Sequence, residues 1–152
     1  MIRHGVYPCP LGLLIIGCTE RKIVSVKLAS EAQLQHTPCP LSDLAARQLL
    51  EYFDGRRRSF ELPLHPAGTP FQQAVWQTIS QIPYGETATY GQIAAMLRNP
   101  KASRAVGQAA NRNPLWIIVP CHRVVGKNQA LTGYAGGLET KQALLKLEQN
   151  NA

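Results

Sequence analysis

The chain has 152 residues, of which 45% are hydrophobic and 16% are charged, and its formal net charge is +7. This balance is typical of one folded domain or two small ones and excludes a disordered chain. The longest apolar run near the start, residues 11–16, is far too short to span a membrane and lacks the flanks of a signal peptide, so we expect a cytoplasmic protein. The positive charge favours an anionic partner.

The cysteines are too few and too irregularly spaced for a disulfide framework in a chain of this size. We therefore expect four reduced thiols, at Cys9, Cys18, Cys39 and Cys121. The first three, even together with His4 and His36, lack the paired spacing of zinc ligands. The sequence predicts no metal site.

A stretch with prolines and a glycine, residues 63–70, divides the chain, and we predict domains over residues 1–66 and 67–152. In the first piece, apolar residues on both sides of a turn at 17–20 predict a hairpin with strands near 13–16 and 23–28.

Apolar residues recur at helical spacing over 44–53, which predicts a helix that begins at a Ser42 cap and ends at Gly55. Residues 60–64 then predict a third strand. The first piece is expected to be a small sheet with one helix.

The second piece is predicted to be mainly helical, with helices near residues 70–79, 89–97, 101–111 and 139–149. The second and third of these resemble a helix-turn-helix, in which helix 101–111 takes the recognition position. Its alanines and glycines suit either close approach to a DNA groove or close packing inside the protein. An apolar, strand-like run at 116–119 leads to Pro120 and Cys121.

Acidic residues are absent between Thr87 and Leu138. Six basic residues fall inside this run: Arg98, Lys101, Arg104, Arg112, Arg123 and Lys127. An ordered segment of this composition presents phosphates with a positive face and no competing repulsion.

Cys121 is the strongest candidate for chemistry, because His122 and Arg123 follow it directly. A thiol reacts as its thiolate, and a neighbouring imidazole or guanidinium lowers the thiol pKa from about 8.5 toward neutrality. The imidazole needs an orienting acceptor, for which Glu148 on the last helix is the best candidate. A cysteine beside a histidine is nevertheless structural more often than catalytic, so the context decides.

That context is a resemblance: residues 117–125, IIVPCHRVV, resemble the active-site signature of the O6-alkylguanine-DNA alkyltransferases. Further motifs follow in the order found in that family, at residues 68–72, 82–87, 90–94, 102–107, 111–114 and 132–138. The resemblance covers essentially the whole second piece and is looser in the first.

The resemblance implies a mixed α/β (α+β) fold. An N-terminal ribonuclease H-like domain, with a three-stranded sheet and a helix, would be followed by a mainly helical domain with a winged helix-turn-helix.

The resemblance also implies DNA repair by direct, irreversible transfer of the alkyl group from O6-alkylguanine, and also from O4-alkylthymine, to Cys121. Each molecule would act once, without a cofactor. His122 would remove the thiol proton through a water, oriented by Glu148. Tyr90 would protonate the departing base, and Asn113 would tie the helix-turn-helix to the active-site segment.

The implied partner is double-stranded DNA whose damaged base is flipped out from the minor-groove side. Arg104 would fill the vacated place in the stack. The residues expected to contact DNA are Arg104, Tyr90, Ala102, Lys101 and Arg123. The residues expected to line the substrate pocket are Tyr134, Ala135, Gly136, Val124 and Trp116, and the bulk of Trp116 bears on which alkyl groups fit.

Three other functions are alternatives to this one. A non-enzymatic relative that flags alkylated DNA would replace the nucleophile, whereas Cys121 and Glu148 are both present. A hydrolase would need an oxyanion hole, which no local motif indicates. A transcription factor would normally read the major groove with longer polar side chains. We expect a monomer, from the size of the chain and the absence of a heptad pattern.

Overall fold

The computed structural model describes all residues except Gln33. Its contacts divide the chain into two compact units. The first comprises Met1–Ala67 with Pro114–Ile118, and the second comprises Gly68–Asn113 with Val119–Ala152. Segment Pro114–Ile118 joins the first unit because its backbone pairs with Val26, whose N–H donates to the Pro114 carbonyl at 2.8 Å. Among the described residues, no helix has both the length and the apolar character that crossing a membrane requires.

Three antiparallel strands form the sheet of the first unit in the order β1 (Arg3–Cys9), β2 (Gly12–Cys18) and β3 (Ile23–Ala29). A two-residue turn joins β1 to β2 and places Cys9 opposite Gly12. Gly12 has a φ of +116°, and a Cβ there would lie 2.6 Å from the Ala29 carbonyl oxygen. The turn therefore needs glycine at this position.

The predicted hairpin is present as β2 and β3, but the prediction for the third strand was wrong. The third strand is β1, at the edge of the sheet, and residues 60–64 contribute a single bridge between Leu64 and Ile23. The sequence does not predict β1 because the strand contains Gly5 and Pro8. Both residue types are depleted in strands, and proline is tolerated mainly at edges.

Helix α1 (Pro40–Phe53) packs on this sheet and buries Leu49 and Tyr52 against a sheet face that includes Leu14 and Ile16. The helix begins earlier than predicted. Cys39, not Ser42, is the N-cap residue, and Pro40 occupies the first helical position, where its missing N–H has no consequence. The Ser42 hydroxyl instead accepts a hydrogen bond from the Cys39 N–H at 2.9 Å.

The second unit contains four α-helices: α2 (Pro70–Ile79), α3 (Tyr90–Met96), α4 (Ser103–Asn111) and α5 (Leu138–Asn151). Two short strands, β4 (Ala88–Thr89) and β5 (Val124–Val125), pair in parallel. Thr69 caps α2 through the N–H of Gln72, as predicted. The Trp76 indole N–H donates to the Ala109 carbonyl at 2.8 Å and joins α2 to α4.

The mixed α/β class with a helical second half is confirmed. The strand expected at 116–119 was wrong, since this stretch makes bridges and turns. Ile117 has a φ of +74°, a left-handed conformation that interrupts an extended run.

Candidate active site

The segment that leads to Cys121 is held by Asn113, which follows α4 and is buried. The Asn113 side-chain amide donates to the Val119 carbonyl at 2.9 Å, and the same side chain hydrogen-bonds the Cys121 thiol. Cys121 then opens a 3-10 helix, Cys121–Arg123, and only 5% of its surface is exposed. The thiol is therefore enclosed, and a polar side chain contacts it.

Glu148 on α5 forms the centre of the buried polar cluster beside Cys121. Its carboxylate lies 2.5 Å from Nε2 of His122, and it accepts from Nε of Arg123 at 2.8 Å and from Nη2 at 3.1 Å. The Gly85 N–H donates to the same carboxylate at 3.1 Å. His122 and Glu148 are 0% and 1% exposed, so these partners must replace water for the buried charge.

Burial favours the neutral form of both the thiol and the imidazole, so it shifts their pKa values in opposite directions. It raises the pKa of the Cys121 thiol to about 12, although the Asn113 hydrogen bond and the positive charge of Lys141 lower it. It also lowers the pKa of His122 below its usual 6.5, although Glu148 raises it. At neutral pH the thiol is protonated and the imidazole is neutral, so the expected lowered thiol pKa was wrong: the loss of water outweighs the neighbouring charges.

The two ring nitrogens of His122 differ in whether they can accept a proton. Nε2 is committed to Glu148, whereas Nδ1 is buried and has no hydrogen-bond partner among the described residues. A carboxylate only accepts, so Nε2 carries the ring hydrogen and Nδ1 has a free lone pair. Nδ1 can therefore accept a proton.

Lys141 is a member of the site that sequence analysis missed. It is 0% exposed, and its ammonium donates to the carbonyls of Thr132 at 2.7 Å and Gly133 at 3.3 Å. Burial lowers its pKa to about 8, while nearby Cys121 raises it. Lys141 lies two helical turns before Glu148, on the same face of α5, and this spacing is the signal that could have identified it.

Two tyrosines also belong to this region: Tyr134 lies near Cys121, and Tyr90 lies near Lys141. Burial raises the pKa of the Tyr134 hydroxyl, and the proximity of Cys121 adds to the effect. Tyr90 opens α3, and its ring centroid lies 6.0 Å from the Lys141 ammonium. The Tyr90 hydroxyl accepts a hydrogen bond from the Thr132 hydroxyl at 3.2 Å.

The remaining residues predicted for the substrate pocket are spread over both units. Val124 is fully buried, Gly136 is half-buried and Ala135 is exposed, all in the second unit. Trp116 belongs by its contacts to the first unit, where its N–H donates to the Val26 carbonyl at 3.1 Å.

The predicted DNA contacts divide into surface and interior residues. Lys101 and Arg104 are exposed, and Ala102 is the half-buried residue that precedes α4. Of the α4 alanines, Ala109 is buried in the unit, as close packing requires, whereas Ala105 is exposed.

Arg123 does not fit its predicted place among the DNA contacts. Its guanidinium is buried, is bound by Glu148 and donates to the Ile82 carbonyl at 2.7 Å. A buried guanidinium that is bound by a carboxylate and a carbonyl inside the protein is not placed to reach a phosphate. We correct its role to that of the cation that balances Glu148.

Two family comparisons match nearly the whole chain. Residues 2–66 match the family described as 6-O-methylguanine DNA methyltransferase, ribonuclease-like domain. Residues 70–150 match 6-O-methylguanine DNA methyltransferase, DNA binding domain. The chain belongs to the 6-O-methylguanine DNA methyltransferase family.

Members of this family resemble the chain over more than nine tenths of its length. The constitutive methylated-DNA–protein-cysteine methyltransferase of Bacillus subtilis is 51% identical over 92% of this chain and 91% of that protein. The methylated-DNA–protein-cysteine methyltransferase of Haemophilus influenzae is 44% identical over 96% of this chain and 86% of that protein.

A crystal structure of the Mycobacterium tuberculosis protein in complex with DNA superimposes with a TM-score of 0.90. The two proteins are 41% identical over 99% of this chain and 94% of that chain.

The buried ion pair gives a prediction for stability. Glu148→Gln keeps the shape of the side chain but removes the charge, which leaves the Arg123 guanidinium buried without its counterion. We expect the free energy of unfolding, measured with urea, to fall by about 3–5 kcal/mol. Glu139→Gln is the matched control, because Glu139 is exposed in the first turn of the same helix and should change stability by less than about 1 kcal/mol. Equal effects of the two substitutions would contradict the assignment.

Proposed function

We propose that this protein repairs DNA by moving an alkyl group from O6 of guanine to Sγ of Cys121, as a methylated-DNA–protein-cysteine methyltransferase. The supporting observation is the arrangement of one enclosed thiol, one neutral imidazole and one buried carboxylate on neighbouring elements. Membership of the 6-O-methylguanine DNA methyltransferase family indicates which reaction this arrangement serves.

The reaction begins with removal of the thiol proton. His122 accepts this proton at Nδ1 through one bridging water, and Glu148 stabilises the imidazolium that results. A preformed thiolate is not available, because burial raises the thiol pKa to about 12. The positive charge of Lys141 stabilises the thiolate during the interval before it reacts.

Displacement then moves the alkyl group. The sulfur lone pair forms the S–C bond while the bond between carbon and O6 breaks, and the electron pair stays with the guanine ring. The Tyr90 hydroxyl accepts from Thr132, so its own proton is left to donate to the departing base. The product on Cys121 is a thioether, which has no carbonyl for water to attack, so each molecule acts once.

DNA would approach the exposed start of α4. Lys101 and Arg104 are exposed there within the acid-free run, and Ala102 allows close approach of the backbone. We propose that the alkylated base is flipped from the minor-groove side, with Arg104 in its place and with Tyr134, Ala135, Gly136 and Val124 around the base. Several expectations stay predictions. They are action on O4-alkylthymine, a place for Trp116 in the pocket, a monomeric state, a cytoplasmic location and the absence of a metal or cofactor.

The alternative of a protein that only flags alkylated DNA is not favoured. Such a protein has no use for a nucleophile, a base and an orienting carboxylate together, and here all three are present.

The transfer can be tested with an oligonucleotide that contains O6-methylguanine. We expect the intact mass to rise by one methyl group, on the peptide that contains Cys121, and to stop at one equivalent. Cys121→Ala should abolish the gain but retain DNA binding, whereas Cys9→Ala is the matched cysteine control and should behave as the natural chain. Turnover beyond one equivalent, or transfer by Cys121→Ala, would rule out the mechanism.

The DNA-binding face gives a separate prediction. Arg104→Ala should weaken binding to duplex DNA and slow transfer, with an effect of about 1–3 kcal/mol on binding. Arg47→Ala removes the same charge from the exposed side of α1 in the first unit and should have little effect. Binding can be measured by fluorescence anisotropy at fixed salt concentration. Similar losses for the two variants would show that only the net charge matters.

A further inference from the structure

Two of the remaining cysteines contact each other in the first unit. Cys18 ends β2, Cys39 is the N-cap residue of α1, and their thiols hydrogen-bond each other. The path of the chain brings them together: Cys18 lies opposite Arg3 in the sheet, and the Thr37 N–H donates to the His4 carbonyl at 2.8 Å. The segment that ends at Cys39 therefore runs along the end of β1 beside Cys18.

The two thiols differ in exposure and in acidity. Cys18 is buried, and burial raises its pKa to about 11. Cys39 is half-exposed, and although burial raises its pKa, hydrogen bonds from Cys18, Ser42 and Leu41 outweigh this effect and hold the pKa below its ordinary value. Cys39 is therefore the stronger nucleophile of the pair, and Cys18 is a neutral thiol held against it.

Small molecules have a route to Cys39. A cavity of about 380 Å³ is lined by Met1, Arg3, Thr19, Glu20, Arg21 and Cys39. Its charged lining residues are Arg3, Arg21 and Glu20, so positive charge exceeds negative charge around the Cys39 thiol. The pair thus combines an accessible nucleophilic thiol with a second thiol in contact, which is the arrangement of redox-sensitive cysteines.

We propose that Cys18 and Cys39 are a peroxide-sensitive modification site that forms a reversible disulfide. The Cys39 thiolate attacks one peroxide oxygen, the O–O bond breaks, and the sulfur becomes a sulfenic acid while the other oxygen leaves as water or an alcohol. The Cys18 sulfur then attacks the Cys39 sulfur, the S–O bond breaks, and water leaves with the Cys18 proton. Two thiols lose two electrons to one peroxide, and a dithiol reductant reverses the change.

The disulfide would connect the end of β2 to the start of α1 and close the loop over residues 19–38. It would stabilise the first unit, because it restricts the unfolded chain. Cys121 takes no part in it, so the inference does not depend on the proposed function.

In the test, the reduced full chain is treated with one equivalent of hydrogen peroxide at pH 7. Free thiols are then blocked with iodoacetamide, and the chain is digested with trypsin without reduction. We expect residues 4–21 linked to residues 28–47, two hydrogens lighter than the separate peptides, and separated again by dithiothreitol. Cys9 lies in the first of these peptides. The Cys9→Ser variant is therefore the matched control and should form the same link.

Single substitutions identify the order of the two steps. Cys39→Ser should form no link, and Cys18→Ser should leave a sulfenic acid on Cys39 that dimedone labels. If Cys18→Ser fails to fold, the natural chain and Cys9→Ser still decide the matter. Two outcomes would overturn the proposal. One is oxidation of Cys9 or Cys121 while Cys18 and Cys39 stay unlinked, and the other is a link that Cys9→Ser abolishes.

Discussion

The buried carboxylate of Glu148 is the constraint on which the candidate active site depends. It joins three stretches of the second unit, since α5 supplies the carboxylate, the 3-10 helix supplies His122 and Arg123, and the turn before β4 supplies the Gly85 N–H. A carboxylate without these partners would be expensive to bury. Arg123 balances its charge, and this balance allows Glu148 to orient His122 without water.

The site keeps its reacting groups neutral until they are used. Burial holds the proton on the Cys121 thiol and keeps it off the His122 ring. A permanent thiolate would be open to oxidation and to unintended alkylation, whereas a neutral thiol reacts only when the imidazole takes its proton. Lys141 then supplies a positive charge close to the sulfur, and its hydrogen bonds to the carbonyls of Thr132 and Gly133 fix the loop that precedes Tyr134.

The parts of the fold with a strong local signal could be predicted from the sequence. The Thr69 cap, Pro70 and the apolar spacing after them define α2 without tertiary information. The edge strand β1 has no such signal, because Gly5 and Pro8 are of types depleted in strands and its pairing with β2 is a tertiary contact.

The site shows the same division between local motif and tertiary setting. Cys121, His122 and Glu148 were found because a contiguous motif and its chemistry single them out. The burial of Arg123 and Lys141 could not be predicted in this way, since arginine and lysine are exposed by default and only the paired partners explain the exceptions. The contact between Cys18 and Cys39 depends on how α1 enters after the sheet, which the spacing of the two residues does not reveal.

The most direct measurement of this arrangement is the protonation of His122 by ¹⁵N NMR of the free protein, with the resonance assigned by its loss in His122→Gln. The structure predicts a neutral ring at pH 6.5, with hydrogen on Nε2 and none on Nδ1. A ring that is charged at that pH, or one that carries its hydrogen on Nδ1, would contradict the assignment of His122 as the base that Glu148 orients.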